Sequence, residues 1–379
     1  MPSRSYISAV LTMIAAIVGV GMFTLPYAGT QAGLLILLGY FVGLGIIQHW
    51  LHKIYAEIVL STKQPHRLPG YAGIYLGPKS KKAMTLLVVV ASYGSLLAYT
   101  LIGGDFLFQL LRPYWGGTVF FYTSILMALR SAVIAFGLKW ITRVETVLTA
   151  GLLGTIVVIA AFLGEHASLS NIVLWQPAQI FFPYGAVFFA VNGLIAVNNV
   201  CLIMKKESKH IKSALRSGLL ISIFIMAFFS IMIMSLSGST TSPDALSGLG
   251  AAVPPAIYAI LLLIGLVTVT TSFLIVAEAL EEMYIWDLGL PRGLAWLLVA
   301  AVPYILYLFG AHDITKVVGL AGAVSGGLLG AFSLAIALRV RSNPEKKSAV
   351  RPLLTPLIAH TLTLLFLGGV GYQLWELFG

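Results

Sequence analysis

Charged residues are scarce in this chain of 379 residues, making up 9% of it, whereas 59% of its residues are hydrophobic. Soluble domains carry roughly a quarter charged residues, so this composition excludes an ordinary water-exposed globular fold. The chain also has a single cysteine, Cys201, which excludes an internal disulfide and a cysteine metal site. What it has instead is a series of long apolar runs, and these predict an all-α integral membrane protein.

Basic residues exceed acidic ones and give a formal net charge of +10. They lie in short segments between apolar runs and form no single basic surface, which argues against a nucleic-acid partner. If the N-terminus is cytoplasmic, almost all of them fall on the cytoplasmic side; the exceptions are Arg112, Lys316 and Arg130. The positive-inside rule therefore predicts a multi-pass plasma-membrane protein with a cytoplasmic N-terminus and an external C-terminus.

Windows of about 20 apolar residues predict eleven membrane spans. The predicted spans are 5–31, 34–60, 83–111, 117–137, 143–163, 179–204, 214–236, 255–284, 293–309, 314–339 and 352–377.

The first span is interrupted by AIVGVGMFTLPYAG at residues 16–29. Backbone groups in hydrocarbon must be hydrogen-bonded, so an unwound segment is tolerated only where protein, water or a ligand takes up the freed groups. We expect Gly19 and Gly21 to supply the backbone angles of the break and Pro26 to lie in the first turn of the restarted helix. Close helix packing is the alternative role of such glycines, and it is the one expected for Gly39-x-x-x-Gly43 and Gly322-x-x-x-Gly326.

A second interruption lies in the sixth span, FFPYGAVFFAVNGLIAVNNV at residues 181–200, where Asn192-Gly193 is the weak point. Five spans separate the two features, and an odd number of spans inverts the second copy. Paired interruptions of this kind indicate the central site of a secondary transporter. We therefore expect two inverted repeats, residues 1–163 and 179–341, followed by an additional helix in 352–379.

Several segments resemble amino acid permeases of the amino acid/polyamine/organocation superfamily. GVGMFTLPYAG is similar to their first helix and FPYGAVFFAVNG to their sixth, and YGSLLAYTLIGGDFL at 93–107 and TTSFLIVAEAL at 270–280 also match. Within the superfamily the chain looks closest to the amino acid/auxin and aromatic amino acid permease branches. The resemblance implies the LeuT-like fold, with two inverted five-helix repeats, broken helices one and six, and an added eleventh helix.

The two breaks suggest how a substrate is bound. The positive end of the restarted first helix favours an anion, so a carboxylate is expected at its N–H groups. The resemblance implies that helix-six carbonyls hold an α-amino group, that Tyr93 lies near the carboxylate, with Tyr99 as the competing choice, and that Phe189 gates the site. The expected substrate-binding residues are Gly19, Val20, Gly21, Met22, Tyr93, Phe189, Ala190, Asn192 and Gly193. Because none of them is acidic or basic, a neutral amino acid is expected.

A coupling ion is the one cofactor-like group that the sequence suggests. The resemblance implies a Na⁺ site formed by Thr268, Thr271 and Ser272 with carbonyls of Ala15 and Val18, and oxygen ligands suit such a hard cation. The alternative is that these hydroxyls bond back to their own helix. Helix five has no central lysine to replace Na⁺, so coupling to Na⁺ and coupling to H⁺ both remain open.

Four ionisable residues lie within predicted spans: His49, Glu57, Arg130 and Glu278. Such residues suggest function by default. Lys53, four residues before Glu57, is a possible ion-pair partner on the same helix face. Arg130 is expected to snorkel or to meet a carboxylate. His49 is the candidate proton carrier if coupling is to H⁺, with structural packing as its alternative role.

Together these features predict a secondary active transporter that imports neutral amino acids by alternating access, coupled to Na⁺ or H⁺. A substrate-binding sensor or exchanger without ion coupling, on the same fold, is the alternative. An enzyme would need a nucleophile with a base or a metal cluster, and the sequence shows neither pattern. The expected partners are the amino acid and the lipid bilayer, with no nucleic acid and no obligate protein partner.

Overall fold

The computed structural model describes residues 3–136, 167–250, 253–342 and 348–378, and every regular element in these ranges is helical. Seven of the described helices are long and apolar enough to cross a membrane, or eight if the bent pair at the N-terminus forms one span. The protein is therefore a multi-pass membrane protein. The predicted fifth span, 143–163, lies outside the described residues.

The helices agree with the other predicted spans to within a few residues at most ends. In chain order the α-helices are α1 (Arg4–Ile17), α2 (Gly21–Ala32), α3 (Leu34–Leu60), α4 (Leu68–Leu76), α5 (Pro78–Trp115), α6 (Val119–Phe136), α7 (Pro183–Ala190), α8 (Leu194–Ile203), α9 (Ile211–Ser237), α10 (Pro255–Glu282), α11 (Arg292–Leu308), α12 (Ile314–Gly322), α13 (Leu329–Arg341) and α14 (Pro356–Phe378). A π-helical turn, Met283–Asp287, extends α10, and another, Ala323–Leu328, joins α12 to α13.

The first break separates α1 from α2, which are bent by 55° relative to each other. The role expected for its glycines is wrong, because neither Gly19 nor Gly21 has a positive φ. They are needed for close approach. A Cβ on Gly19 would lie 2.6 Å from Ser272 Oγ, and one on Gly21 would lie 2.6 Å from the Cα of Ala190.

The position expected for Pro26 is also wrong, since this residue lies inside α2 instead of in its first turn. Backbone hydrogen bonds between residues three apart begin the helix before Pro26: Met22 N–H donates to Gly19 O at 3.1 Å, and Phe23 N–H donates to Val20 O at 3.0 Å. The helix has therefore formed before Pro26 is reached.

The second break lies between α7 and α8, and it contains Asn192 and Gly193 as predicted. The Asn192 side chain caps α8, because its Oδ1 accepts a hydrogen bond from Leu194 N–H at 3.1 Å. Gly193 is held tightly against α1, and a Cβ there would lie 2.8 Å from Met13 Cε and 2.9 Å from Ile17 Cδ1.

The broken helices lie at the centre of the bundle. The half-helix α1 packs against α8 and α9, α2 packs against α7 and α9, and α5 packs against α6, α10 and α12. Close packing is confirmed at Gly322, where a Cβ would collide with the Gly185 carbonyl, and at Gly326, which faces the Phe188 ring. Among the described residues, nothing lies within 4 Å of the Cβ positions of Gly39 and Gly43, so their expected packing stays a prediction.

Basic residues collect at one end of the bundle, which we call the basic face and define by Arg4, Lys63, Lys79, Lys205 and Arg339. Contacts between distant parts of the chain stabilise this end of the bundle. Ser3 Oγ donates to Glu207 at 2.6 Å, and Trp50 Nε1 donates to the Leu353 carbonyl at 2.9 Å.

Glu57 lies near this face, and its expected pairing with Lys53 is wrong. The Glu57 carboxylate, which is buried, accepts two hydrogen bonds from Arg341, at 2.8 and 2.5 Å, and Arg351 lies 3.9 Å away. A forked guanidinium matches a carboxylate better than a single ammonium does, and α3 and α13 bring the two groups together.

Candidate site at the paired helix breaks

A cavity of about 120 Å³ lies where the two breaks meet. Since about 10–15 Å³ on this measure already holds a water molecule, the cavity is large enough for a small organic ligand. Its lining includes Arg67 and Leu68, which lie at the start of α4. Its other lining residues are Ala16, Ile17, Gly19, Gly21, Tyr55, Val88, Ala91, Ser92, Ser95, Tyr99, Phe189, Ala190, Asn192, Leu194, Ile195, Val276, Ala279, Met283, Ser325 and Leu329.

The predicted substrate residues divide into two groups. Those that line the cavity are Gly19, Gly21, Phe189, Ala190 and Asn192, and those that do not are Val20, Met22, Tyr93 and Gly193. In the second group, Val20, Met22 and Gly193 are chain neighbours of residues that line the cavity.

The tyrosine of α5 that reaches the cavity is Tyr99, the competing choice. The Tyr93 hydroxyl lies 2.8 Å from the Tyr284 hydroxyl and donates to the Leu298 carbonyl at 3.2 Å. Tyr93 therefore joins α5 to the end of α10 and to α11. Six residues separate the two tyrosines, so they point in different directions from the same helix.

The first break leaves backbone groups without helical partners. Gly19 N–H donates to Ile17 O at 3.0 Å instead of to Ala15 O, four residues earlier. Among the described residues, the Val20 and Gly21 N–H groups have no hydrogen-bond acceptor. Both belong to the positive end of α2, which is suited to binding a negative group.

The second break frees an acceptor opposite these donors. Leu194 N–H donates to Asn192 Oδ1, so the carbonyl of Ala190, four residues before Leu194, does not receive the usual helical bond. Since Ala190 lies directly against Gly21, the break with free donors and the break with a free acceptor are next to each other. This arrangement can bind a zwitterion through its two ends.

The predicted cation ligands are only partly suited to that role. Thr271 Oγ1 donates to the carbonyls of Val267 and Thr268, at 3.1 and 2.9 Å. It therefore hydrogen-bonds to its own helix, as the alternative interpretation expected. Ser272 Oγ is buried beside Gly19 and has no partner among the described residues. Thr268, Ala15 and Val18 are buried nearby on α10 and at the end of α1. The buried, unpartnered hydroxyl of Ser272 fits an oxygen ligand for a cation.

An ion pair that the sequence did not suggest lies at the cavity lining, where Arg67 contributes to the wall. The Arg67 guanidinium donates to Glu282 Oε2 through Nη2 at 2.5 Å and through Nε at 3.0 Å, and to the Ile195 carbonyl through Nη1 at 3.0 Å. These bonds connect the start of α4, the end of α10 and the start of α8. The Arg67 charge is paired with Glu282, so the cavity lining has no unpaired positive side chain among the described residues.

A histidine missed in the sequence contacts the second break. His52, fully buried on α3, accepts a hydrogen bond at Nε2 from Gly193 N–H at 3.2 Å. His49, one turn earlier, is half-buried and makes no such contact. A histidine facing a helix break gives no local sequence signal, because the two residues are 141 positions apart.

Arg130 is almost completely buried on α6, so the expectation that it snorkels or meets a carboxylate is wrong. Its guanidinium donates to the Tyr99 carbonyl at 3.0 Å and to Thr270 Oγ1 at 2.9 Å, and it lies 4.8 Å from the centre of the Phe273 ring. These contacts, including a cation–π interaction, make it a bridge between α5, α6 and α10, behind the cavity wall.

Glu278, the remaining ionisable residue singled out in the sequence, lies half-buried on α10.

Comparison with known proteins gives one family and one fold. The profile described as the tryptophan/tyrosine permease family matches residues 2–375. No curated protein matches the chain.

Among solved structures, MhsT in complex with L-phenylalanine has a TM-score of 0.74 and 16% identity, covering 97% of this chain and 98% of its own. The nucleobase-cation-symport-1 family transporter Mhp1, with bromovinylhydantoin bound, has a TM-score of 0.66 and 13% identity, covering 98% and 90%. A manganese transporter from Eremococcus coleocola has a TM-score of 0.68 and 14% identity, covering 100% and 90%. At these identities the similarity establishes a shared LeuT-like fold, and together with the family match it identifies a transporter and not an enzyme.

Proposed function

Because this chain belongs to the tryptophan/tyrosine permease family, we propose that it imports a neutral aromatic amino acid, L-tryptophan or L-tyrosine, by ion-coupled alternating access. The observation that carries the proposal is the meeting of the two helix breaks at one cavity, with Gly21 against Ala190. Paired breaks of this kind are where secondary transporters bind their substrates.

The substrate carboxylate binds the N–H groups of Val20 and Gly21, flanked by Gly19 and Met22, at the positive end of α2. The α-amino group binds carbonyls of the second break at Phe189, Ala190 and Asn192. The donors and acceptors that the breaks leave free support this orientation.

The aromatic side chain lies in the rest of the cavity, among apolar residues such as Ile17, Phe189 and Val276. Apolar walls with a few hydroxyl groups, such as those of Ser95 and Tyr99, suit an indole or phenol ring. An acidic or basic side chain would have no free opposite charge there, because Arg67 is paired with Glu282.

Transport requires the cavity to open to each side in turn. On the side away from the basic face, Phe23 packs edge-on against Phe106 at 5.2 Å and against Phe229 at 5.6 Å between ring centres. On the basic face the corresponding gate is the Arg67–Glu282 pair, since Arg67 lines the cavity. The positive-inside rule makes the basic face cytoplasmic, with the C-terminus outside the plasma membrane. The rocking units are the inverted repeats 1–163 and 179–341, and residues 352–379 form an added helix.

The driving ion is H⁺ or Na⁺. The buried, unpartnered Ser272 hydroxyl favours a cation at the end of α1, with the carbonyls of Ala15 and Val18 and the Thr268 hydroxyl as further ligands. The Thr271 hydroxyl donates its hydrogen to backbone carbonyls and keeps its oxygen lone pairs for a cation.

Uptake of radiolabelled L-tryptophan by proteoliposomes, with Na⁺ and pH gradients imposed separately, tests the proposal. Saturable uptake that excess L-tyrosine inhibits and excess L-lysine does not is expected. Binding without flux would favour a sensor, flux without response to either gradient would favour an exchanger, and neither binding nor flux would refute the proposal. A Na⁺ response that Ser272→Ala removes is expected if Na⁺ is the driving ion.

A further inference from the structure

Three polar side chains lie close together in the middle of α3, inside the membrane bundle. Gln48 and His52 are fully buried, one helical turn apart on the same face, and His49 is half-buried beside them. Both amide atoms of Gln48 and the Nδ1 atoms of both histidines have no hydrogen-bond partner among the described residues. Buried polar groups in a membrane protein are costly and mark functional positions by default.

The one partnered atom of this cluster is His52 Nε2, which accepts the Gly193 N–H at 3.2 Å. A ring nitrogen accepts a hydrogen bond only through its lone pair, so Nε2 carries no proton here. The ring proton of neutral His52 is therefore on Nδ1. A second proton can bind the ring only at Nε2, through the lone pair that Gly193 uses. Protonation of His52 and the hydrogen bond to the second break are therefore mutually exclusive.

The helix that begins at this point adds to the effect. Gly193 is the residue before α8, so His52 faces the N-terminal end of a ten-residue helix, where the partial charge is positive. An imidazolium at this position would be repelled. Proton binding should therefore displace α8 relative to α3, whereas the neutral ring holds the break as the structure shows it.

We propose that His52 is the proton-binding residue that couples H⁺ to movement of the α7–α8 break. This inference rests on the transport function proposed above and names H⁺ as its driving ion. The proton binds Nε2 of His52 when that nitrogen is accessible from one side of the membrane, and it leaves to the other side as the Gly193 N–H returns.

The surroundings of His52 contain few charges that could compete for this role. On α3 itself, the other titratable groups near His52 in sequence are His49, Lys53 and Glu57. Of the helices packed against α3, α2, α7 and α8 contain no acidic or basic residue, whereas α9 carries Lys212 and Arg216. Beside Gly193, α1 presents Met13 and Ile17. On α13, Arg341 is paired with Glu57.

His49, the candidate from the sequence, has a different environment. Lys53 of the same helix and Arg216 of α9 act on it electrostatically. Among the described residues, no hydrogen bond joins it to either break. His49 is thus a suitable control for His52, since both are histidines of α3 one turn apart.

The variant His52→Gln separates the two properties of the ring. A glutamine Oε1 can reach the position of Nε2 and accept the Gly193 N–H, but it does not bind a proton near neutral pH. Two measurements on proteoliposomes are needed: accumulation of labelled L-tryptophan driven by a pH gradient, and exchange of labelled for unlabelled L-tryptophan at equal pH. We expect His52→Gln to lose accumulation by at least about tenfold while exchange stays within about twofold of wild type. His49→Gln should retain both.

Several results would overturn the inference. Accumulation by His52→Gln at the wild-type level would show that another group carries the proton. Loss of exchange as well, in both His52→Gln and His52→Asn eluting as monodisperse protein, would indicate a structural role alone. Wild-type exchange without any response to a pH gradient would refute H⁺ coupling but leave transport standing. Absence of exchange in the wild type would refute the transport function itself, and the inference with it.

Discussion

The Arg67–Glu282 pair should control access to the cavity from the basic face. Glu282→Gln keeps the size of the side chain but removes its charge, and with it two charge-assisted bonds to Arg67. Such bonds contribute about 1.5–3 kcal/mol when buried and about 0–1 kcal/mol at the surface. The Glu282 side chain is 19% exposed and that of Arg67 is 8% exposed, so an intermediate effect of about 1–2 kcal/mol is expected. That corresponds to a shift of about 5–30-fold towards the state open at the basic face.

Thiol labelling measures this shift directly. Cys201 is the only cysteine and is buried, so Cys201→Ser gives a background on which Ser92→Cys places a single thiol in the cavity lining. A membrane-impermeant maleimide added at the basic face should label this thiol about 5–30 times faster after Glu282→Gln. Lys63→Gln is the control, because Lys63 is exposed in the same loop as Arg67.

Unchanged labelling in both Glu282→Gln and Arg67→Gln would refute the gate, provided that both variants elute as folded protein. An equal increase in Lys63→Gln would also count against it, because the effect would then follow the net charge of the loop.

Two further predictions concern affinity and stability. Tyr99→Phe should weaken L-tryptophan binding by about tenfold, the equivalent of one lost hydrogen bond of about 1.4 kcal/mol, whereas Tyr93→Phe should leave it within about twofold because Tyr93 bonds outside the cavity. Calorimetric titration measures both, and equal losses would contradict the assignment. Arg341→Gln should lower the free energy of unfolding by about 3–5 kcal/mol, since it leaves the buried Glu57 carboxylate without its main partner. Arg351→Gln should change it by about 0–1 kcal/mol, because Arg351 is 55% exposed and 3.9 Å away; matching melting temperatures for the two variants would argue against the difference.

Sequence reasoning located both breaks because each has a local signal. Asn192-Gly193 interrupts an apolar run that is otherwise suited to a continuous helix, and Gly19 and Gly21 do the same in the first span. Their physical role was not predictable in the same way. The glycines are required by Ser272 and Ala190, which approach them from other helices, and nothing in residues 16–29 identifies those neighbours.

The residues that sequence reasoning missed depend on distant partners. Arg67 meets Glu282, 215 positions away, and His52 meets Gly193, 141 positions away. Glu57 has a possible partner four residues earlier, yet it pairs with Arg341, 284 positions away. A local rule such as the i, i+4 ion pair contributes only about 0.2–0.5 kcal/mol, so tertiary packing that presents a forked guanidinium overrides it.

The central claim is that the two helix breaks hold the two ends of an amino acid. An experimental structure of the protein with L-tryptophan tests this most directly, by locating the ligand without altering any side chain. We predict ligand density in the cavity that Gly21 and Ala190 line, with the carboxylate within hydrogen-bonding distance of the Val20 and Gly21 N–H groups and the amino group facing the Ala190 carbonyl. Density in another part of the bundle, or a ligand whose carboxylate points away from α2, would contradict the account.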